Sequence, residues 1–262
     1  MEEFEKQMAE KAAEFAKERA EDIAKPTTKS IGKNLGLLVD GVFGWLGVWG
    51  EVQKIKQLQY KEKYKEKIYT KVQKIPAEYL TNPQINIVGP AIEASKYYFE
   101  EEYYQEMFAN LIAASCNVNQ KSKIHPSYVD IIKQLSPLDA KILELFKFHS
   151  TYPIANLKAT NNDKTVSPCP ILLFDFKEKN KDFSEEGLLE ISSSIDNLIR
   201  LNLINKNKDI IELGYDYSKF ELNSLYIAFS KSLDSNSKIN IIKYRMELTN
   251  FGKNFFDICS KD

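Results

Sequence analysis

The sequence predicts a mainly α fold, with a helical N-terminal domain built around a helical hairpin and a smaller α+β domain after it. Three observations predict it. Between Gly89 and Pro137 apolar side chains recur at helical spacing: Phe99, Tyr103, Met107, Leu111 and Ala114 share one face, while Glu100, Glu101, Glu102 and Glu106 fall largely on the rest. Prolines at 26, 76, 90, 126 and 137 cut that half into helix-length pieces. From Ile171 onward, apolar runs of strand length alternate with helical patterns. A chain of 262 residues, 43% hydrophobic, has material for one large core or two smaller ones. The division expected is 1–135 and 136–262.

Residues 2–24 repeat Phe4, Met8, Ala12, Phe15, Arg19 and Ile23 at spacings of three and four. That is the narrow seam of an amphipathic helix, suited to docking on the domain or on a partner subunit. Pro26 ends it. The charged start lacks the early apolar core of a signal peptide.

Residues 31–50, IGKNLGLLVDGVFGWLGVWG, hold six of the ten glycines, and from Leu35 to Gly50 the only charge is Asp40. Leu35, Leu38, Val42, Trp45 and Trp49 share one helical face, and Val39, Phe43 and Leu46 cover another. A helix apolar nearly all round must be hidden in protein or lipid. Sixteen residues span about 24 Å, short of the roughly 30 Å hydrocarbon core. Close glycine spacing suits helix packing, and tryptophan suits a membrane interface. Three readings stay open: a central core helix, membrane contact, or a self-association seam. Leu38, Val42, Trp45 and Trp49 are the residues that would carry either of the last two.

Residues 51–75 form a lysine-rich helix whose stripe is Tyr60, Tyr64, Ile68, Val72 and Ile75. Its eight lysines against Glu51, Glu62 and Glu66 read as a solvated face, or as a surface for anionic lipid or nucleic acid. Ile75-Pro76 closes it, and 76–90 is expected to be an ordered loop broken by Gly89-Pro90. After the long helix of the hairpin, His125-Pro126 opens a second with Ile131, Ile132 and Leu135 as its apolar side.

In the second half, Ser136-Pro137-Leu138-Asp139 carries an N-cap serine, a proline and an acidic first turn. Residues 150–170 are expected to be irregular, and Ile171–Phe174 a short buried strand. A helix over EEGLLEISSSIDNLIRLNLI, a strand with a turn over 203–213, a helix over 217–231, a strand over 239–248 and a Thr249-capped final helix follow. That order, with the SIDNLIRLNLI and MELTNFGKNFF runs, resembles a winged-helix module. Arg200, Lys206 and Lys208 are its candidates for contact with DNA or a partner. The recognition helix offers one base, Arg200, against Glu190 and Asp196, few charges for phosphate binding.

Charge excludes a basic nucleic-acid domain as a class. The net charge is -1, and arginine, the residue best suited to bidentate phosphate and guanine contacts, occurs only at 19, 200 and 245. Cys116, Cys169 and Cys259 are odd in number and widely spaced, as in a reducing cytoplasm without a disulfide framework. No Cys/His spacing suits zinc, and no phosphate-binding loop, nucleophile elbow or dinucleotide fingerprint is present. His125 reads as a helix-start residue, Cys116 as a core thiol, and the Glu100–Glu102 run as a solvated face. No catalytic, cofactor-binding or metal-binding residue is assigned.

MFANLIAAS, KIHPSYVDIIKQLSP and NIVGPAIEASKYY resemble the Abi-alpha (abortive infection alpha) family of bacterial proteins. The likeness continues upstream through Ile75-Pro76, Pro83 and Ile87 and downstream into the second half. The resemblance implies anti-phage defence and carries no catalytic residues to transfer. With the Leu35–Gly50 segment it leads to the expectation of a non-enzymatic, cytoplasmic effector or binding protein, peripheral to the membrane if it meets lipid. Its partners would be a protein or phage-derived trigger, and a second copy of itself. The alternative is a winged-helix DNA-binding regulator.

Overall fold

The structure is a computed structural model describing residues 27–44, 51–98, 100–161, 164–174, 185–208 and 210–260. Side chains are described throughout these ranges except at 38–44, 51–59, 164–168, 170, 171, 185 and 186. The expected helix over 2–24 therefore lies outside the described residues. The chain divides into two compact units, one of residues 1–133 with 257–262, the other of 134–256.

Among the described residues the first unit is helical, apart from turns, loops and one isolated bridge. Helix α1 (Thr28–Gly44) packs on α2 (Glu51–Gln73), and both meet the helices that follow. The expected stripe of α2 points inward: Tyr64, Ile68 and Val72 are buried, with Tyr60 and Ile75 half-buried. α1 buries Ile31 and Leu35, one helical turn apart, and leaves Leu37 exposed.

Gly89-Pro90 does not break the chain. Both lie inside α3 (Ile85–Ser95). Pro90 has no N–H for the carbonyl four residues back, yet the helix runs on because Ile87, Val88, Ala91, Ile92 and Ala94 are buried around it. The ordered loop thus ends before Ile85, and it contains a single 3₁₀ turn, Ala77–Tyr79.

Helix α4 (Glu102–Ser115) is the centre of the unit. Met107, Leu111 and Ala114 are buried as their spacing predicts, and so are Tyr104, Phe108, Ile112 and Ala113. The buried face is wider than one stripe because α2 and α3 both pack on it. Its C-terminal end is tied by an isolated bridge between Leu80 and Asn117. Helix α5 (Tyr128–Gln134) starts two residues after Pro126; the Ser127 carbonyl accepts the first helical bond, from the Ile131 N–H.

The second unit opens with α6 (Pro137–Glu144). Ser136 Oγ accepts from the Asp139 N–H at 3.1 Å, and Asp139 Oδ2 accepts from the Ser136 N–H at 2.6 Å, a reciprocal cap. The stretch expected to be irregular is instead a long hairpin. Strands β1 (Thr151–Asn161) and β2 (Lys164–Phe174) pair antiparallel, with register shifts after Asn156 and after Ala159. Helix α7 (Glu185–Arg200), strand β3 (Ile204–Asn207), helix α8 (Ser224–Lys231), strand β4 (Lys238–Leu248) and helix α9 (Asn250–Phe255) follow. The sheet order is β2-β1-β4-β3, all antiparallel. Four strands therefore stand where the sequence suggested a two-stranded wing and one short strand. The region 217–231 is a 3₁₀ turn, Tyr217–Leu222, and then α8. One sheet face buries Ala155, Leu157 and Leu173 against Leu188, Tyr217 and Phe220.

Helix α7 ends in a Schellman motif. Leu203 N–H bonds the Leu198 carbonyl at 3.0 Å, Asn202 N–H bonds that of Ile199 at 2.9 Å, and Asn202 takes φ 57°. Asparagine tolerates this left-handed position better than most residues. Thr249 seals the joint. Its Oγ1 donates to the Asn202 carbonyl at 2.6 Å and accepts from the Gly252 N–H at 2.8 Å, so it caps α9 as predicted.

Candidate functional site

Two surfaces matter: the α1–α2 face of the first unit and the end of α7 with β3 in the second. On the first, Gly32 lies against the Tyr69 ring so closely that a Cβ there would sit 2.6 Å from a ring carbon. The missing side chain is what lets α1 press onto α2. Of the residues singled out for membrane contact or self-association, Leu38 and Val42 belong to the backbone of α1 while their side chains lie outside the described residues. Trp45 and Trp49 lie outside them altogether. Among the described residues no helix is long and apolar enough to cross a membrane.

On the inner side of α2, Lys67 and Lys71 are one turn apart and converge on α4. Lys67 Nζ is 2.8 Å from Glu106 Oε2 and 3.6 Å from Glu102, and Lys71 bonds the other oxygen of Glu106. Partial burial alone would raise the Glu106 carboxyl, but its hydrogen bonds to Lys67 and Lys71 outweigh this and hold it below its ordinary range. Sequence reading placed Glu106 only off the apolar face of its helix, with no partner assigned. The missed signal was Lys67 and Lys71 at i, i+4 beside the buried Ile68 and Val72.

On the second surface, the three predicted contact residues are differently placed. Arg200 is exposed at the end of α7, but its guanidinium is engaged: Nη2 donates to Asn197 Oδ1 at 2.7 Å and to Gln134 Oε1 at 3.1 Å. Lys206 sits on β3 with its ammonium 4.8 Å from the centre of the Tyr244 ring. Lys208 is exposed in the bend after β3. Only Lys206 and Lys208 share one segment.

Asn197 also donates to Asp139 Oδ2 at 2.7 Å, and Ser194 donates to Asp139 Oδ1. Asp139, 1% exposed, thus joins α6 to α7. This is a closed structural network: its donors are backbone and neutral side chains, and the carboxylate faces no open space.

Candidate chemistry elsewhere is sparse. His125 Nδ1 accepts from the Ser127 N–H at 3.2 Å, at the turn before α5, as its place at a helix start predicts. Cys116 is buried, and burial pushes its thiol up to about 11, so it stays protonated near neutral pH. Among the described residues no three His, Cys, Asp or Glu side chains could hold a metal ion.

Set against known families, residues 53–259 match the one described as abortive infection alpha. No curated protein and no solved structure matches the chain.

Proposed function

Because the chain belongs to the abortive infection alpha family, we propose that it is an anti-phage defence protein acting by binding and assembly, without catalysis of its own. The match spans most of the chain and carries the phage-defence reading. The mechanism rests on residues 31–50, which lie outside the matched range. Two features support it. The start of that segment is sheltered, with Ile31 and Leu35 buried and Gly32 held against Tyr69. The rest, from Leu35 to Gly50, has one charge and two tryptophans, a composition that needs cover from protein or lipid. A protein or phage-derived signal would release the Leu38, Val42, Trp45 and Trp49 face for self-association or for contact with anionic lipid, the lysine-rich α2 assisting at the headgroups.

The test uses the intact protein with vesicles of anionic and zwitterionic phospholipid, read by flotation and dye release, beside sedimentation across a range of concentrations. Wild type should float with anionic vesicles or assemble, and Trp45→Glu/Trp49→Glu should do neither. No flotation and no assembly by wild type, with or without infected-cell extract, would sink the mechanism. The DNA-regulator reading has weaker support, since Arg200 is already engaged by Asn197 and Gln134. A gel shift that fades steeply with salt would favour it.

A further inference from the structure

We infer that β4 accepts an added strand from a protein partner along residues 238–243. The partner segment is extended, acidic, and apolar at alternate positions. β1 pairs with one side of β4 throughout, from Lys238 to Glu247, without a register shift. On the other side β3 covers only Arg245 to Leu248. Residues 238–243 are therefore a sheet edge that begins where β3 ends, a place for strand addition.

One bond fixes which backbone groups face this edge. The Thr249 N–H reaches the Leu203 carbonyl at 3.1 Å. Ile204 and Leu248, between them, are thus a pair that exchanges no bonds of its own. Backbone groups alternate in antiparallel pairing, so Lys243, Ile241 and Ile239 turn theirs to the β3 side, and Ile242 and Asn240 turn theirs to β1. Among the described residues no backbone hydrogen bond reaches Ile239, Ile241 or Lys243 from that side. The opposite edge of the sheet, β2, carries Pro168 and Pro170, which remove donors. Residues 238–243 contain no proline and keep theirs.

Side chains choose the occupant. Ile239 and Ile241 pack against the cluster of Leu157, Tyr217 and Phe220. Apolar residues at alternate positions of an added strand extend that row. On this face Asp216 already offsets Lys243. The other face is basic. The register puts Lys158 of β1 opposite Asn240, and Lys206 of β3 opposite Met246, on the same face as Lys238. β1, β3 and β4 put no carboxylate there; their one acid, Glu247, lies on the first face, bonded to Arg245. Acidic side chains at the intervening positions of the partner complement these lysines. A second copy of β4 would instead bring lysines from both chains to one seam.

The test uses the full chain and a labelled peptide alternating glutamate with valine, read by fluorescence anisotropy and by amide exchange in NMR. In the free protein the Ile239 and Ile241 amides should exchange fast and those of Asn240 and Ile242 slowly. The peptide should slow the first pair about tenfold or more. Paired antiparallel, as β3 is, the peptide sets its valines opposite Ile239 and Ile241, with their N–H groups toward β4. N-methylation at the valines should therefore weaken binding about tenfold or more, and N-methylation at the glutamates should leave it nearly unchanged. Lys158→Glu/Lys238→Glu should weaken binding by a similar factor while leaving the fold intact. Equal binding of the two methylated peptides overturns the inference, leaving attraction by charge alone. Slow exchange at Ile239 and Ile241 in the free protein overturns it by showing the edge already occupied. Absence of peptide binding, or full binding by the folded charge-reversed variant, overturns it as well.

Discussion

Two glycines hold two interfaces together in opposite ways. Gly32 lets α1 approach the ring of Tyr69, a side chain 38% exposed at its surface edge. Gly252 lets α9 approach the backbone carbonyl of Leu203, where a Cβ would come within 1.8 Å of the oxygen. A side-chain tip can swing aside, whereas a carbonyl fixed by the Thr249 N–H at 3.1 Å cannot. The same contrast runs through both units. The first joins α2 to α4 by ion pairs between long side chains, Lys67 and Lys71 with Glu106. The second joins α6, α7, β3 and α9 by short side chains and backbone. Contacts of the first kind yield to salt, acid and rotamer change; the approach of Gly252 to the Leu203 carbonyl yields only when the backbone moves.

Gly252→Ala sharpens the contrast most. It should cost the second unit about 3 kcal/mol, because α9 must shift off Leu203 and break the Thr249 cap. Thermal melting checks the cost, and hydrogen exchange at β3 and α9 shows where it falls. Next comes Asp139→Asn. One acceptor oxygen becomes an NH₂ donor facing the Ser136 N–H, Asn197 Nδ2 or Ser194 hydroxyl. The loss should be about 2 kcal/mol in urea unfolding. A loss near zero for either variant would mean that the second unit is as compliant as the first.

Acid tests the ion pairs of the first unit. The Glu106 carboxyl is lowered in the folded state, so its contribution is full above the ordinary carboxylate range. That contribution is lost as pH falls through the lowered value. Glu106→Gln should remove this acid limb and cost about 1 kcal/mol or less near neutral pH, since the pair is only part-buried. Melting curves from pH 7 to 3 on wild type and variant check it. Identical acid limbs would break the comparison, placing the sensitivity in other carboxylates.

Local chemistry made part of the fold legible. Tyr64, Ile68 and Val72 follow helical spacing, Ser136 and Asp139 cap α6, and Thr249 caps α9. Each signal sits within a few residues of what it predicts. The β1–β2 hairpin was illegible although its pairing is local, Asn161 with Lys164 outward, because its prolines argue against strands. They are tolerated by position. Pro168 and Pro170 lie on β2, which pairs on one side only, and Pro153, opposite Arg245 of β4, precedes the first β1–β2 pair, Ile154 with Phe174, so that β1 has one neighbour there. Pro90 misled likewise, since a buried apolar surface outweighed one missing helical bond. At the candidate surfaces, sequence showed which residues were charged or apolar, but not that Arg200 would be spent on Asn197 and Gln134. That engagement depends on Gln134, 66 positions away.

The smallest expected effect is the most discriminating. Gly32→Ala puts a methyl into the Tyr69 ring, which on contact distance alone looks as severe as many core clashes. Tyr69 is more than a third exposed, so its ring can rotate off at the cost of part of one contact. Alanine meanwhile gains about 1 kcal/mol of helix propensity over glycine. The two should nearly cancel, leaving the melting temperature within about 2 °C of wild type. Tyr69→Ala in the same background should then change little further, because the ring would already be displaced. If instead Gly32→Ala melts as low as Gly252→Ala, the Tyr69 ring is held in place as firmly as the Leu203 carbonyl, and the contrast between the two glycines fails.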